Sequence, residues 1–495
     1  MKKSSLAIGV VAVLVAAWAG GTWYSGKILE QKYPDYIKTG NENIHSSYSA
    51  ALGENIKLEV KNVRFERGFF SSTIEDQLII TDNSHDGKQF IVPFKTVAEH
   101  GPIPLSRLTS LHWTPVMTAA KTEILEDPSI SELFKASKGV TPLSSQFTIS
   151  YSEQIQQKTT IAAFDYQQDD LVINSTPIQI ESDTNKQGVG LIKLDLDHFT
   201  LSANATKWNN QYEEIQVKRD LTLHKVKLNS DLTPSKWRYV PSGKQLFTIE
   251  SFELKEEPVE NYQPLNISLK NILLDYDTTL SGDNVNYVLN NNIDEVSIRD
   301  QNFGKLVFNL GLGHLNAENL NNMMEAYTQM YNNPEEQQQK LSESGLALLK
   351  NQPTLSLQPF SLKNNAGENK LALDLAMSKE DPSAVLMQGK ILSLFDKFEF
   401  NADVNKAAAE QFLISQEIID HATPAEQLAE VSAEIKADLA QQLESAVQQK
   451  TLVTSDNQNY QSKLILENGQ LKLNGEVIPE EAIAQTLLFM FMGGF

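Results

Sequence analysis

Leu265-Asn266-Ile267-Ser268-Leu269-Lys270-Asn271-Ile272-Leu273-Leu274 carries the pattern that decides the fold. Its apolar positions run Leu265, Ile267, Leu269, then change parity to Ile272 and Leu274. Period-two alternation marks a half-buried strand, and a three-residue step within it turns the later side chains to the opposite face. One inserted residue, a β-bulge, brings them back and adds twist. The same step recurs from Ile56, Leu58 and Val60 to Val63 and Phe65, and from Ile192, Leu194 and Leu196 to Phe199 and Leu201. It recurs again from Leu221 and Leu223 to Val226 and Leu228, and from Phe247 and Ile249 to Phe252 and Leu254. The pattern predicts long, bent antiparallel strands in a meander too irregular for a solenoid. A short turn at each step, joining two ordinary strands, is the simpler alternative. Plain alternation at Phe90, Val92 and Phe94, and at Phe147, Ile149 and Tyr151, extends the β reading.

Helical spacing interrupts the strands in three places. Leu320, Met323, Met324, Tyr327 and Tyr331 fall on one helical face, with Asn316 as cap and Pro334 as stop, inside a helical region at 317–349. Core packing explains this Met-bearing stripe better than a binding face. A second region covers about 404–449, split by Thr423-Pro424-Ala425-Glu426, a capping-box signature. Behind it, Leu428, Val431, Ile435, Leu439 and Leu443 form a stripe expected to pack on the sheet, with a helix–helix dimer seam as the alternative. The third is an apolar tail, Glu480 to Met492, too brief to span a bilayer and expected to dock. Asn290-Asn291-Asn292 reads as a hairpin connection.

The other end of the chain is its clearest physical signal. After Met1-Lys2-Lys3 no charged residue occurs until Lys27, and Leu6 to Trp18 is nearly all Ala, Val, Leu and Ile. As a helix, Ser4 to Gly26 would be about 34 Å long, enough to cross a hydrocarbon core. Trp23 and Tyr24 fall where an aromatic belt would meet the far interface, and Lys2 and Lys3 place the amino end in the cytoplasm. Everything after Gly26 is then exported. Ala17-Trp18-Ala19 also resembles a signal-peptide cleavage site, but the long apolar run, continuing helix-compatible through Glu30, favours an uncleaved anchor.

The 495 residues are 41% apolar and carry 42 Lys+Arg against 63 Asp+Glu, a net charge of −21. That balance repels phosphate backbones and argues against a nucleic-acid partner. There is no cysteine, which excludes disulfides, thiolate metal sites and Cys nucleophiles. The eight histidines form no zincin spacing, and there is no Walker loop, dinucleotide fingerprint or Gly-x-Ser-x-Gly. Asp195 with Asp197, and Asp275 with Asp277, read as solvated strand faces. No catalytic, cofactor-binding or metal-ligating residue is assigned, and no cofactor or enzymatic activity is expected.

Several stretches together resemble the YdgA-like family of Gram-negative bacterial proteins. They are the Lys-Lys-Ser start leading to Ala17-Trp18-Ala19-Gly20-Gly21-Thr22-Trp23-Tyr24-Ser25-Gly26-Lys27, then Arg67-Gly68-Phe69-Phe70-Ser71-Ser72, His100-Gly101-Pro102 with Pro104-Leu105, and Asn468-Gly469-Gln470-Leu471-Lys472-Leu473-Asn474-Gly475. The resemblance implies an inner-membrane protein with one N-terminal anchor and a periplasmic body, and supplies no catalytic residues. Physically, the motif residues Arg67, Gly68, His100, Gly101, Pro102, Asn468 and Gly469 read as structural. Gly68 permits a turn, Pro102 takes the chain out of the sheet, and Asn468-Gly469 signals a hairpin.

The expected architecture is therefore α+β: a single N-terminal transmembrane helix, then a β-rich body of long bent antiparallel strands with a few packed amphipathic helices. Expected divisions are 1–26 (anchor), 27–140, 141–350 and 351–495, with soft boundaries near Gly139–Pro142 and Asn351–Pro353. The expected role is that of a membrane-anchored, non-enzymatic periplasmic protein that scaffolds or engages other envelope components. Lipid or amphiphile binding in an apolar β-lined groove is the second reading, and a cryptic hydrolase the third. Expected partners are the inner membrane through residues 4–26, a second copy of the chain, an envelope protein or a lipid, but no nucleic acid.

Overall fold

The computed structural model describes residues 2–52, 55–83, 87–209, 211–330, 333–421 and 426–479, with side chains from residue 16 onward apart from 43, 45–52 and 386. It divides into two units, residues 1–201 with 227–232, and residues 202–226 with 233–495. The loops at Gly139–Pro142 and Asn351–Pro353 each lie inside a unit; the division falls instead within two long strands.

Unit 1 begins with helix α1 (Lys2–Leu52), which carries Pro34 within it. Strands β1 (Ile56–Arg67), β2 (Ser71–Asp82) and β3 (Lys88–His100) follow, then α2 (Leu105–Thr109), β4 (Thr118–Ile124) and α3 (Ser131–Ala136). Next come β5 (Leu143–Ile149), β6 (Ile155–Ile161), the hairpin β7 (Phe164–Gln168) and β8 (Leu171–Ser175), and β9 (Ile178–Thr184). Both units draw on β10 (Gly190–Trp208) and β11 (Glu214–Thr233). The unit 1 sheet runs β1-β2-β3-β4-β5-β6-β9-β10, antiparallel throughout. Leu29 of α1 is buried with Ile74, Ala98 and Ala120, against Tyr33, Tyr36, Phe65 and Phe147, so the helix supplies part of the unit's core.

Unit 2 continues with β12 (Ser242–Glu256), β13 (Ile267–Ser281), β14 (Asn284–Ile298) and β15 (Gln301–Asn316), then α4 (Ala317–Thr328) and α5 (Pro334–Lys350). It goes on through β16 (Thr354–Lys363), β17 (Glu368–Met377), α6 (Pro382–Met387), β18 (Phe395–Asn405), α7 (Lys406–His421) and α8 (Leu428–Gln448). The last strands are β19 (Val453–Thr454), β20 (Asn459–Glu467), β21 (Gln470–Leu473) and β22 (Glu476–Val477). Strands β12 to β18 pair in sequence, β20 to β22 extend the β18 edge, and all are antiparallel.

Each parity step lies inside one continuous strand, as the bent-strand reading requires. In β1 the pairing shifts between Asn62 and Arg64, leaving Val63 as the extra residue of a bulge. In unit 2 the steps of three strands share one row. Ile249 pairs with Ile272 and Ile272 with Ile293, while Phe252 pairs with Leu269 and Leu269 with Val296. Asn271, between them, takes φ 51°, a conformation Asn tolerates better than most residues.

Three local expectations are corrected. The region 317–349 is two helices: Asn316 caps α4 by accepting from the Asn319 N–H at 3.0 Å, and Pro334 opens α5 rather than stopping a helix. Asn290-Asn291-Asn292 is the middle of β14, paired with Asp275 to Leu273 on one side and Asn309 to Val307 on the other. The hairpin turn is Gly282-Asp283, because Gly282 supplies the positive φ of 62°. The α8 stripe meets α7, with Ile435 and Leu439 lining one cleft with Leu413. In α4, Leu320 and Met323 join the core with Val240, Val285 and Leu348, whereas Tyr327 is exposed.

Tyr331, the cap at Thr423-Pro424-Ala425 and the tail from Glu480 lie outside the described residues. So do the side chains of residues 1–15, which hold most of the expected span. Among the described residues, no helix is long and apolar enough to cross a membrane.

Unit 2 also buries a carboxylate. Glu256 accepts from Arg219 Nη2 at 2.6 Å, Tyr262 Oη at 2.6 Å and the Leu265 N–H at 2.7 Å. Burial alone would push its carboxyl up, but these donors together hold it below the usual carboxylate value. Burial and the Glu256 bond push the Tyr262 phenol up to about 12. Taking such a charge out of water offsets much of what its bonds contribute, whereas removing one donor would leave it uncompensated.

Candidate functional site

Five of the seven motif residues meet where α1 seats on unit 1. Thr22, Ser25, Leu29, Tyr33 and Tyr36 recur at steps of three or four, one helical face, and the first three are buried. The glycines flanking that face set how closely it approaches. A Cβ on Gly26 would lie 2.4 Å from the His100 ring, and one on Gly21 would lie 2.8 Å from Pro102 Cδ. Gly101 is equally constrained, since a Cβ there would fall 1.7 Å from the Val116 carbonyl oxygen.

His100, at the end of β3, is 1% exposed. Its Nδ1 lies 3.0 Å from the Phe69 carbonyl oxygen, which can only accept, so Nδ1 carries the proton. Nε2 then accepts from the Ser72 hydroxyl at 2.8 Å. A Ser–His pair suggests a nucleophile and its base. Here the ring is oriented by a backbone carbonyl, no carboxylate among the described residues joins it, and Ser72 is fully buried. The pair holds the β1–β2 turn to the end of β3.

Arg67 closes the other side of the seat. Its Nε is 2.8 Å from Glu30 of α1, and its guanidinium lies 5.7 Å from the Trp23 ring centre. Gly68 makes the turn by donating its N–H to the Ser71 carbonyl at 2.8 Å. At the top, the Trp18 indole N–H donates to the Ile103 carbonyl at 2.9 Å and the ring stacks on Phe70 at 5.7 Å. Further down, Tyr33 bonds Asp76, Lys32 pairs with Glu153, and the Asn41 amide makes two bonds to the Val60 backbone at 2.9 and 2.7 Å. Burial, reinforced by Asp76, drives the Tyr33 phenol well above its ordinary value.

The seat is pH-sensitive in one direction. Burial, the largest cause, pulls the His100 pKa below its ordinary value, and the nearby Arg67 charge adds to this; the Phe69 bond opposes both. Neutral His100 therefore stabilises the seat fully above the unfolded-state pKa of about 6.5, and that stability is lost as pH falls from there through the folded value. Protection factors for amide exchange across Leu29–Asn41, taken relative to the intrinsic rate at each pH, should fall between pH 7 and 5 in the wild-type chain, and His100→Gln should flatten that dependence.

The remaining motif residues belong to unit 2. Asn468 and Gly469 form the β20–β21 hairpin turn in unit 2, with φ of 52° and 73°. His112 is exposed and is not brought to the buried His100. Asp195 and Asp277 face Lys227 and Lys244 at 3.5 and 3.4 Å, the first pair exposed and the second with a half-buried carboxylate. Among the described residues, no group of three His, Cys, Asp or Glu could hold a metal ion.

A second feature lies in unit 2. Beneath α7 the strands β14 to β18 leave a cavity of about 600 Å³ lined by Val296, Phe303, Leu306, Leu362, Leu371 and Phe412. The bond from Arg299 to the Ile419 carbonyl ties the end of α7 across it.

A family model described as bacterial protein of unknown function (DUF945) matches residues 1–481. The protein YdgA of Escherichia coli is 25% identical over 96% of this chain and 95% of its own length. An uncharacterized protein of Haemophilus influenzae is 27% identical over 66% of this chain and 85% of its own. A second from that organism is 31% identical over 32% of this chain and 94% of its own. No solved structure matches the chain significantly.

Proposed function

Since the chain belongs to the DUF945 family of bacterial proteins, we propose that it is held in the inner membrane by residues 4–26, with both β-rich units in the periplasm. Its role there is non-enzymatic, to present these units to other envelope components. The observation that carries this reading is the continuity of α1. The apolar run Leu6–Ala17 and the seated face from Trp18 to Tyr36 belong to one helix, Lys2–Leu52. Cleavage after Ala19 would remove Trp18, whose ring and indole N–H are both engaged by unit 1. A leader discarded after export has no need of such contacts.

The absence of cysteine allows a direct topology test. A membrane-impermeant maleimide applied to spheroplasts should label Gln187→Cys, in an exposed turn, and should label Ser4→Cys only after lysis. Labelling of both, or of neither, before lysis would contradict the reading.

The unit 2 cavity favours a second role, binding the acyl chain of an amphiphile. Its volume lies within the ~300–1,000 Å³ range of ligand sites, and Phe360 and Leu371 at its edge remain exposed. Native mass spectrometry of the extracted protein should show a lipid-mass adduct that Leu306→Trp abolishes. A wild-type chain with no adduct would remove this role.

A further inference from the structure

Unit 1 turns an apolar rim toward the point from which α1 leaves it. The β1–β2 turn brings Phe69 and Phe70, which pack edge to face at 4.9 Å, and Phe70 stacks on Trp18. The loop joining β3 to β4 receives the Trp18 indole at Ile103 and is closed at its base by the Val116 N–H donating to the Pro102 carbonyl at 2.8 Å. That loop exposes Leu111 and Trp113. The exposures are 72% for Leu111, 60% for Trp113, 48% for Phe69 and 44% for Phe70. Single exposed apolar side chains are ordinary, but large aromatic and aliphatic groups gathered on adjoining turns mark an interaction surface.

The length of the helix identifies what covers it. The charge-free stretch ahead of the seat, Ser4 to Ala17, would reach about 21 Å as a helix, short of a hydrocarbon core of about 30 Å. Completing the span takes about six more residues, Trp18 to Trp23. Within that stretch Trp18 is held by Phe70 and the Ile103 carbonyl, and Gly21 meets Pro102, so the two turns that carry the rim reach the bilayer boundary with it. Its composition suits that depth, where Trp and other amphipathic rings concentrate. Lys27, the first cation in sequence after the apolar run, and Arg67 flank Trp23 at 5.6 and 5.7 Å, at the level expected for lipid phosphates.

We propose that the rim formed by Phe69, Phe70, Leu111 and Trp113 is a lipid-docking surface, seated at the headgroup–acyl boundary around the emerging helix. Unit 1 then rests on the membrane instead of swinging from a tether. This deepens the anchor reading and rests on it.

Full-length protein in vesicles of phosphatidylethanolamine and phosphatidylglycerol with spin-labelled acyl chains provides the test. Leu111→Cys, Trp113→Cys and, as control, Gln187→Cys each carry a small fluorophore, and flotation reports insertion separately. The expected result is flotation of all three, with fluorescence lost at positions 111 and 113 and kept at 187. Flotation without loss at 111 and 113 overturns the docking surface while leaving the anchor standing. Failure to float overturns the anchor, and the docking surface with it. Shielding of both positions from aqueous quenchers without acyl-chain quenching would place a second copy on the rim and overturn the inference. Using two positions in separate chains guards against a local folding defect.

Discussion

Replacing Val11 and Leu14 together with Arg is expected to abolish membrane insertion and leave the chain in the cytoplasm. Each Arg near the centre of a spanning helix costs about 3 kcal/mol on insertion scales, and the pair about 6 kcal/mol. The rest of the run has only Ala, Val, Leu and Ile to offset this, and Lys2 and Lys3 already bias the amino end inward. The readout is the fraction of chain recovered in membranes after an alkaline wash. Val11→Leu with Leu14→Ile, which keeps the apolar character, should behave as wild type. Normal export of the double-Arg chain would mean that something other than this helix carries the protein to the membrane.

Gly26→Leu should release α1 from unit 1 without disturbing unit 2. Its Cβ alone would overlap the His100 ring at 2.4 Å, and that ring is fixed by Ser72 on one side and Phe69 on the other. Neither partner can move without opening the β1–β2 turn or the end of β3. Overpacking of this kind costs about 1–3 kcal/mol, and loss of the contacts beyond it brings the expected change to the upper end. Amide exchange across Leu29–Asn41 should then rise about a hundredfold, the equivalent of about 2.7 kcal/mol. The strands of β12 to β17 should be unchanged. Gly26→Ala combined with His100→Ala, which empties the space, should recover part of the protection. Unaltered exchange in Gly26→Leu would show that the seat is not set by this contact.

The long strands were legible because each parity step leaves a trace in sequence, where the chain carries a bulge as at Val63 or a residue at positive φ as at Asn271 and Lys225. The row that aligns Ile249, Ile272 and Ile293 was not legible, since register between strands is set by pairing and by turns such as Gly282-Asp283. Asn290-Asn291-Asn292 misled because Asn favours turns, whereas here neighbouring strands on both sides hold it extended. Two of its side-chain oxygens, those of Asn291 and Asn292, are buried without a partner. The separation at Pro334 was visible as a break but not as a restart, because the same proline suits a helix stop and a first turn.

For the seat, sequence singled out Arg67, Gly68, His100, Gly101 and Pro102 but not their common partner. The signal existed: small residues at Gly21, Thr22, Ser25 and Gly26 lead into Leu29, Tyr33 and Tyr36 at helical spacing. It was hidden because the apolar run before it explains Trp23 and Tyr24 equally well as membrane residues. Glu30 and Glu153, which pair with Arg67 and Lys32, lie far from their partners in sequence and gave no local pattern.

The most direct test of the account is the intact mass of the chain recovered from washed membranes. The expected result is a chain that resists high salt and retains the residues before Gly20, Trp18 among them. A mature chain beginning at Gly20 and released by salt alone would contradict it.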